Sequence, residues 1–264
     1  MLILGFIASV VIGISLGLIG GGGSILTVPI LVYLFGQDPI VATSYSLFIV
    51  GLTSGVGAFS YFKNGLIHPK IALVFGLPSL VAVYLSRAYI VPGIPNTVVS
   101  IGSIVILKGQ FLMILFALLM FVASLRMIKK ERKNDNMDSL GAINLNYPLV
   151  ILFGFMEGSL TGLVGAGGGF LIIPALVILC KLPMKMAVGT SLLIICVKSL
   201  IGFNSNLNTY QTDWTLLLSI SAFAIAGIFL GSSLSKKMEG NTLKPAFGWF
   251  VLSMSLYVLY REIA

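Results

Sequence analysis

Charged residues are scarce in this chain of 264 amino acids, of which 9% are charged and 58% are hydrophobic. Average soluble domains are about 45–50% apolar and about 25% charged. A chain of this length that folded in water would need a larger charged surface to cover its core. The composition therefore excludes an ordinary soluble protein and predicts an integral membrane protein with the lipid bilayer as its solvent.

Histidine and cysteine are also rare, since the chain has one histidine, His68, and two cysteines, Cys180 and Cys196. These numbers leave no metal-ligand spacing and no CxxC pair, so neither a metal centre nor a disulfide framework is expected. The segment Gly13-Ile-Ser-Leu-Gly17 matches GxSxG, but it lies in an apolar helical stretch with no strand before it. We therefore predict no cofactor and no enzymatic activity.

Lysine and arginine outnumber the acidic residues by 16 to 8, which gives a net charge of +8. Five of these cations form one short run, namely Arg126, Lys129, Lys130, Arg132 and Lys133. An isolated basic run between apolar segments is typical of a cytoplasmic loop, whereas a nucleic-acid interface needs basic residues along a soluble element. We expect no nucleic-acid partner, a cytoplasmic polar linker at 129–146, and a location in the cell membrane.

Eight apolar stretches are long enough to cross a bilayer, which takes about 20 residues. Six of them are uninterrupted, at 40–62, 70–91, 104–127, 186–207, 214–235 and 245–261. The other two, 2–35 and 147–180, are longer and carry glycine runs in the middle. The chain start lacks the positive segment of a secretory signal, so we expect the first stretch to remain in the mature protein. An all-α membrane protein is the predicted fold class.

A tandem duplication relates the two halves of the sequence. The segment from Gly17 to Pro29 recurs as Gly162 to Pro174, at an offset of 145 residues. Downstream, Thr43-Ser44 is repeated as Thr190-Ser191. The duplication predicts an N-terminal repeat at 1–128 and a C-terminal repeat at 147–264, which is a recurring plan of secondary transporters.

The distribution of basic residues discriminates between two topologies of these repeats. If each glycine-broken stretch crosses the membrane once, the repeats are parallel and the cations divide 8 inside to 7 outside. If each stretch enters and returns on the same side, as a hairpin or a pair of short helices, the division is 12 to 3. Both counts omit Lys198 and place Arg87 in an external loop. The positive-inside rule favours the second arrangement, with inverted repeats and an external N-terminus.

The glycine runs are the strongest candidates for a binding site. Each glycine destabilises a helix by up to about 1 kcal/mol, so we expect the helix to break at both runs. Freed backbone groups in a bilayer must face protein or a water-filled cavity, and a helix that restarts there offers unpaired N–H groups to an anion. Inverted symmetry would bring both restarting ends together near the membrane midplane.

Close helix packing is the alternative role for glycine, and we favour it for the isolated GxxxG spacings at Gly154, Gly158 and Gly162 and at Gly227 and Gly231. The predicted substrate-binding residues are Gly20, Gly21, Gly22, Gly23, Ser24, Thr43, Ser44, Gly165, Gly167, Gly168, Gly169, Thr190, Ser191 and Lys198. The hydroxyl groups among them could donate to an oxyanion or bond back to a helix carbonyl.

Few ionisable residues lie inside apolar stretches, where such residues usually face a bundle interior. Lys198 could neutralise a bound anion or pair with a carboxylate, and Glu157 could carry a coupled proton or pair with Lys198. The pairing is the favoured interpretation for Glu157. The polar residues from Asn204 to Asp213 predict an interfacial loop rather than a vestibule, His68 is expected at an interface, and both cysteines are expected to pack as small apolar groups.

The duplicated pattern G-x-x-G-[GA]-G-G-[GS], the segment Gly189-Thr-Ser191 and the pair Asp213-Trp214 resemble the TauE/SafE family of sulfite-exporter-like permeases. The resemblance covers nearly the whole chain and implies an integral membrane protein that transports sulfite, sulfonates or other sulfur-containing anions. The N-terminal half departs from the family pattern, with Ala42 before Thr43-Ser44 and with Ile67-His68 where Val-Asp is usual.

These observations predict a secondary transporter for a small sulfur-containing anion, working by alternating access as the two repeats rock about a midplane site. Anion uptake against a potential that is negative inside requires a coupled proton or another cation. A passive anion channel, a membrane scaffold and an intramembrane enzyme are the alternatives. The sequence assigns no oligomeric state.

Overall fold

The computed structural model describes residues 2–21, 23–101, 104–128, 146–205, 212–235 and 240–263. Six of its helices are long and apolar enough to cross a membrane. The predicted all-α membrane fold is therefore confirmed. The linker predicted at 129–146 lies outside the described residues except for Asn146, and so do Gly22, Asn206, Asn208 and Gln211.

The described residues of the N-terminal half form six helices, one π-helical turn and two short strands. In chain order these are α1 (Leu2–Ile19), α2 (Ser24–Tyr33), α3 (Pro39–Lys63), α4 (Pro69–Leu85), the π-helical turn (Ser86–Ile90), α5 (Val91–Gly93), β1 (Thr97–Ile101), β2 (Ile104–Leu107) and α6 (Lys108–Ile128).

In the C-terminal half, the part of the chain that the structure describes forms five helices. They are α7 (Tyr147–Val164), α8 (Gly169–Leu179), α9 (Met184–Asn204), α10 (Trp214–Ser235) and α11 (Gly240–Ile263). Each glycine-broken stretch is thus divided into a long helix and a short one, α1 with α2 and α7 with α8.

Strands β1 and β2 correct one detail of the sequence interpretation. The stretch 104–127 was predicted to be helical throughout, whereas its first four residues form β2 and pair antiparallel with β1, with Ile101 opposite Ile104. Valine and isoleucine dominate both strands, and β-branched residues favour extended backbone. The spanning helix therefore begins only at Lys108.

Helix starts follow local capping signals. The Asp38 side chain accepts a hydrogen bond from the Ile40 N–H at 2.8 Å, and Pro39 occupies the first turn of α3. At α4, the Nδ1 atom of His68 accepts from the Ile71 N–H at 3.4 Å, again with a proline in the first turn. His68 is therefore a helix cap.

The four most extensive helix pairs each join the two halves of the chain. They are α1 with α10, α4 with α7, α3 with α9, and α6 with α11. The duplication equates α1 with α7 and α4 with α10, so the first two pairs are equivalent to each other. The contacts therefore have the pattern that a two-fold relation between the halves produces.

Glycines bring the backbones together in the two equivalent pairs. Gly13 lies against Ala224 and Gly17 against Ser232, so α1 and α10 run parallel. On the other side, Gly154 lies against Phe75, and Gly158 and Gly162 follow in the same direction along α4. The packing role predicted for the GxxxG spacings is confirmed, because an added Cβ there would overlap the partner backbone.

Helices α3 and α9 run in opposite directions. Gly51 of α3 packs against Leu200, near the end of α9, while Tyr61 packs against Gly189, near its start. Helices α1 and α2 also run in opposite directions, because Gly5 faces the Phe35 ring beyond the end of α2. The first glycine-broken stretch is therefore a hairpin, one of the two forms that the sequence left open.

Large apolar side chains cover much of the outer surface. Leu73, Leu77, Phe229 and Leu230 are each more than half exposed. Exposed apolar surface of this extent is unusual for a soluble monomer and suits a surface in contact with lipid. The interior, in contrast, contains small residues, apolar clusters and the polar groups described next.

Candidate functional site

The backbone unwinds at both glycine runs, as the sequence predicted. We call residues 20–23 the first break and residues 165–168 the second break. Gly20 has a φ of +77° and Gly165 has a φ of +72°, a left-handed conformation that favours glycine. Each also donates its N–H to the carbonyl oxygen four residues earlier at 2.7 Å, Gly20 to Leu16 and Gly165 to Thr161. The two breaks therefore end their helices in the same way.

The two breaks meet in the interior of the protein. Gly21 lies against the backbone of Gly169, where an added Cβ would be 2.5 Å from the Gly169 Cα. A Cβ on Gly167 would be 3.3 Å from the Cβ of Ser24, the first residue of α2. The N-terminal ends of α2 and α8 are thus close together, and both are buried. Their partial positive charges point into one region of the molecule.

In each half, at least one hydroxyl residue of the Thr-Ser pair lies near the break of the other half. Ser191 Oγ donates to the Gly20 carbonyl at 3.1 Å and to the Val188 carbonyl at 2.8 Å. Thr43 lies beside Gly165, and its Oγ1 donates to the Ile40 carbonyl at 2.7 Å. Both hydroxyls therefore bond back to a carbonyl three residues earlier in this conformation.

The remaining predicted polar residues are placed differently from one another. Thr190 Oγ1 accepts from the His68 N–H at 3.0 Å, which directs it to the start of α4 rather than to a break. Ser24 Oγ donates to the Gly21 carbonyl at 2.7 Å. Ser24, Thr43, Ser44, Thr190 and Ser191 are all buried.

Arg87 corrects the sequence analysis, which placed it in an external loop. Its side chain is 0% exposed, and its Nη1 donates to Thr43 Oγ1 at 3.0 Å and to Ser44 Oγ at 3.3 Å. Its Nη2 lies beside Gly165. The π-helical turn continues α4 without a loop, so position 87 stays inside the bundle. An ionisable residue within the apolar stretch 70–91 was the sequence signal for this placement.

Lys198 and Glu157 form a buried ion pair, which confirms the favoured sequence interpretation. Their side chains are 1% and 5% exposed, and the ammonium of Lys198 contacts Glu157 Oε1. Ser79 Oγ donates to Glu157 Oε2 at 2.7 Å, and Thr161 Oγ1 donates to Oε1 at 2.7 Å. Such additional hydrogen bonds are what a buried ion pair requires to offset the loss of hydration.

The ion pair borders the second break. A Cβ added to Gly168 would overlap the side chains of Glu157 and Thr161 and would be 2.8 Å from Lys198 Nζ. Arg87 borders the same break at Gly165. Two cations and one carboxylate therefore surround this break, which leaves a surplus of positive charge beside two helix N-termini. That arrangement suits an anion.

An apolar cavity of about 340 Å³ lies between α4 and α9. Its lining includes Leu73, Gly76 and Leu77 from α4 and Ile194, Val197 and Lys198 from α9. We call it the α4–α9 cavity. Lys198 thus belongs both to this cavity and to the second break.

The cysteines pack in apolar surroundings. Cys180 lies in a buried cluster with Val150, Leu176 and Leu182, and Cys196 Sγ faces Gly55. Within the described ranges, no three His, Cys, Asp or Glu side chains come together in a way that could hold a metal ion.

Comparison with known proteins gives consistent matches over nearly the whole chain. The family model described as Sulfite exporter TauE/SafE matches residues 5–258. A probable membrane transporter protein of Xylella fastidiosa (strain 9a5c) is 28% identical over 256 residues, which cover 96% of this chain and 93% of that protein.

Two further relatives carry similar descriptions. The probable membrane transporter protein YunE of Bacillus subtilis is 28% identical, with 98% of each chain covered. The probable membrane transporter protein MJ0441 of Methanocaldococcus jannaschii is 30% identical, with 98% of this chain and 94% of that protein covered. No solved structure matches the chain.

Proposed function

Because the chain belongs to the sulfite exporter TauE/SafE family and is a membrane transporter rather than an enzyme, we propose that it moves a small sulfur-containing anion, such as sulfite or a sulfonate, across the cell membrane. The observation that carries this proposal is the second break, where Arg87 and Lys198 lie beside two converging helix N-termini.

Arg87 is the strongest candidate for direct contact with the anion. A guanidinium presents several N–H donors in a planar fork that matches an oxyanion. Thr43 and Ser44, which now accept from Arg87, have hydroxyl protons that could turn toward a ligand. Backbone N–H groups of Gly21 and Gly23 at the first break and of Gly167, Gly168 and Gly169 at the second complete the proposed site.

We further propose that the two repeats are inverted and that the central linker is cytoplasmic. Equivalent helices of inverted repeats run in opposite directions, whereas those of parallel repeats run in the same direction. The opposed directions of α3 and α9 support inversion. The hairpin of α1 and α2 supports it as well, because a segment that returns gives each half an odd number of crossings.

The proposed mechanism is alternating access around the two breaks. The glycine contacts fix α1 to α10 and α4 to α7, and each pair takes one helix from each half. We therefore propose that the moving bodies are these mixed pairs, in place of two whole repeats that rock against each other. The close contact of Gly21 with Gly169 would open when the substrate binds.

Glu157 is the candidate for proton coupling. Its carboxylate is shared by Lys198, Ser79 and Thr161, so an anion that attracts the ammonium of Lys198 would compete with Glu157 for it. In this scheme the anion and a proton cross together. Glu157→Gln should then remove the response of transport to a pH gradient while flux down a substrate gradient persists.

The test is uptake of radiolabelled sulfite into proteoliposomes. We expect Arg87→Gln to reduce the flux at least tenfold and Arg87→Lys to retain part of it, because lysine keeps the charge without the fork. Lys63→Gln is the control, since it removes one positive charge at the exposed end of α3. Saturation by sulfite distinguishes a transporter from a channel. Unchanged flux in a folded Arg87→Gln protein would contradict the proposed site.

A further inference from the structure

The α4–α9 cavity offers a second kind of recognition beside the charged break. Its volume of about 340 Å³ falls in the lower range for small-molecule sites. Leu73, Leu77 and Val197 in its lining are 59%, 56% and 44% exposed, so the cavity is open to the outer face of the bundle. An unbranched alkyl chain suits such an apolar space between two helices.

Lys198 brings a charged side chain to the lining of this cavity. It is the charged residue in the lining and is itself 1% exposed. An ammonium has three N–H donors, and among the described residues two acceptors are recorded for it, Glu157 Oε1 and Thr161 Oγ1. One donor therefore remains for a negatively charged group that arrives through the cavity.

We propose that the α4–α9 cavity holds the alkyl tail of an amphiphilic anionic substrate whose charged head bonds to Lys198. This inference rests on the proposed function, because the head would occupy the anion site at the second break. A lipid acyl chain would also match the apolar lining. The buried cation of Lys198, however, is complementary to a ligand with an anionic head. The substrate class is thus an alkyl sulfonate or a related monoanion with an unbranched tail.

Tail length then determines affinity. Each methylene buried in apolar surroundings contributes about 0.8 kcal/mol, which is about fourfold in affinity, and partial burial in an open cavity reduces this to about twofold. The affinity should rise with chain length until the tail extends beyond the cavity.

The experiment measures inhibition of sulfite uptake by methane-, butane-, hexane- and octanesulfonate. Gly76→Leu fills the cavity, and it should fold because a Cβ at Gly76 would be 3.5 Å from Ile194, an ordinary contact. Ala222→Leu, on an exposed face of α10, is the matched control. We expect inhibition to strengthen about two- to fourfold per methylene in the parent and in Ala222→Leu. In Gly76→Leu we expect no dependence on chain length and unchanged inhibition by methanesulfonate.

Three results would overturn the inference: no length dependence in the parent, the same dependence in Gly76→Leu, or equal inhibition by octanol, which has the tail without the charge. The second result would identify partition into the bilayer, and the third would identify a site for neutral chains.

The same series is also measured as ligand-induced thermal shifts of the protein in nanodiscs. If sulfite uptake is absent while the length-dependent shifts persist and are lost in Gly76→Leu, the proposed function fails and the cavity site stands.

Discussion

The first and second breaks have a common origin in the duplication, yet their surroundings differ. Gly23 lies against the backbone of Ile12 and Leu16 and the Ser15 hydroxyl, whereas its counterpart Gly168 lies against the side chains of Glu157 and Thr161, which are equivalent to Ile12 and Leu16 at the offset of 145 residues. The same glycine therefore contacts uncharged groups in one half and a charged network in the other. The two breaks have similar backbones, and the charged groups that we propose for anion binding are concentrated at one of them.

The helices that pack beside the two breaks differ in the same way. Gly158 packs on Ser79, which donates to Glu157, whereas the equivalent Gly13 packs on Ala224, which has no polar side-chain atom. Lys198 itself corresponds to Gly51 at the offset of 147 residues that relates Thr43 to Thr190. The first break consequently packs against uncharged groups, and the second packs against a charged network. We expect substitutions at the two breaks to have different consequences.

The largest expected effect comes from removing one partner of the ion pair. Lys198→Met should lower the free energy of unfolding by about 3 kcal/mol or more, because Glu157 would remain buried without its cation. Thermal unfolding in detergent measures this loss. The double variant Glu157→Met, Lys198→Met should recover most of the stability without recovering transport.

At the first break, Ile12→Val should lower the free energy of unfolding by only about 1 kcal/mol. Equal losses for Lys198→Met and Ile12→Val would remove the distinction between the breaks.

A smaller difference should separate two equivalent glycines. Gly20→Ala and Gly165→Ala both place a Cβ at positive φ, which costs about 1–2 kcal/mol. The new Cβ at position 20 meets the Val188 side chain, whereas the one at position 165 meets the Thr43 carbonyl and Arg87.

Val188→Ala should therefore restore part of the stability that Gly20→Ala removes, measured by thermal unfolding. Thr43→Ala should not restore the stability of Gly165→Ala, because the Thr43 carbonyl belongs to the backbone and remains in place. Similar rescue at both positions would show that the second break is as adaptable as the first.

The smallest effect concerns the two equivalent threonines. Thr43→Val removes an acceptor of Arg87, and we expect sulfite flux to fall about fivefold, as for the loss of a hydrogen bond of about 1 kcal/mol. Thr190→Val removes the acceptor of the His68 N–H, and flux should stay within about twofold of the parent. Flux assays on both proteins at matched reconstitution levels test the difference. The reverse order would contradict the proposed role of Arg87 and its acceptor Thr43 in anion binding.

Features that depend on local sequence were predictable. The apolar stretches predicted the bounds of the spanning helices within a few residues. The glycine runs predicted both breaks, because a run of glycines weakens any helix in which it lies. The Lys198–Glu157 pair was also predictable, since two opposite charges within apolar stretches have few other partners. The meeting of Gly21 with Gly169 followed from symmetry rather than from either segment alone.

Features that depend on packing were missed. Arg87 was counted with the loop cations because its burial depends on a π-helical turn, which no composition pattern marks. The β1–β2 pair was missed because an apolar β-branched run in a membrane protein resembles a spanning helix until its partner strand is known. The mixed helix pairs were missed because glycine spacings predict close packing without identifying the partner helix.

The pairing of α1 with α10 and of α4 with α7 has a consequence for biosynthesis. Helix α1 packs against a helix that is translated about 200 residues later, at Trp214–Ser235. Until then its glycine face has no permanent neighbour in the nascent chain. The N-terminal half is therefore inserted in the membrane before its partner helices are synthesised. Packing of the two halves is a late event that requires synthesis of the C-terminal half.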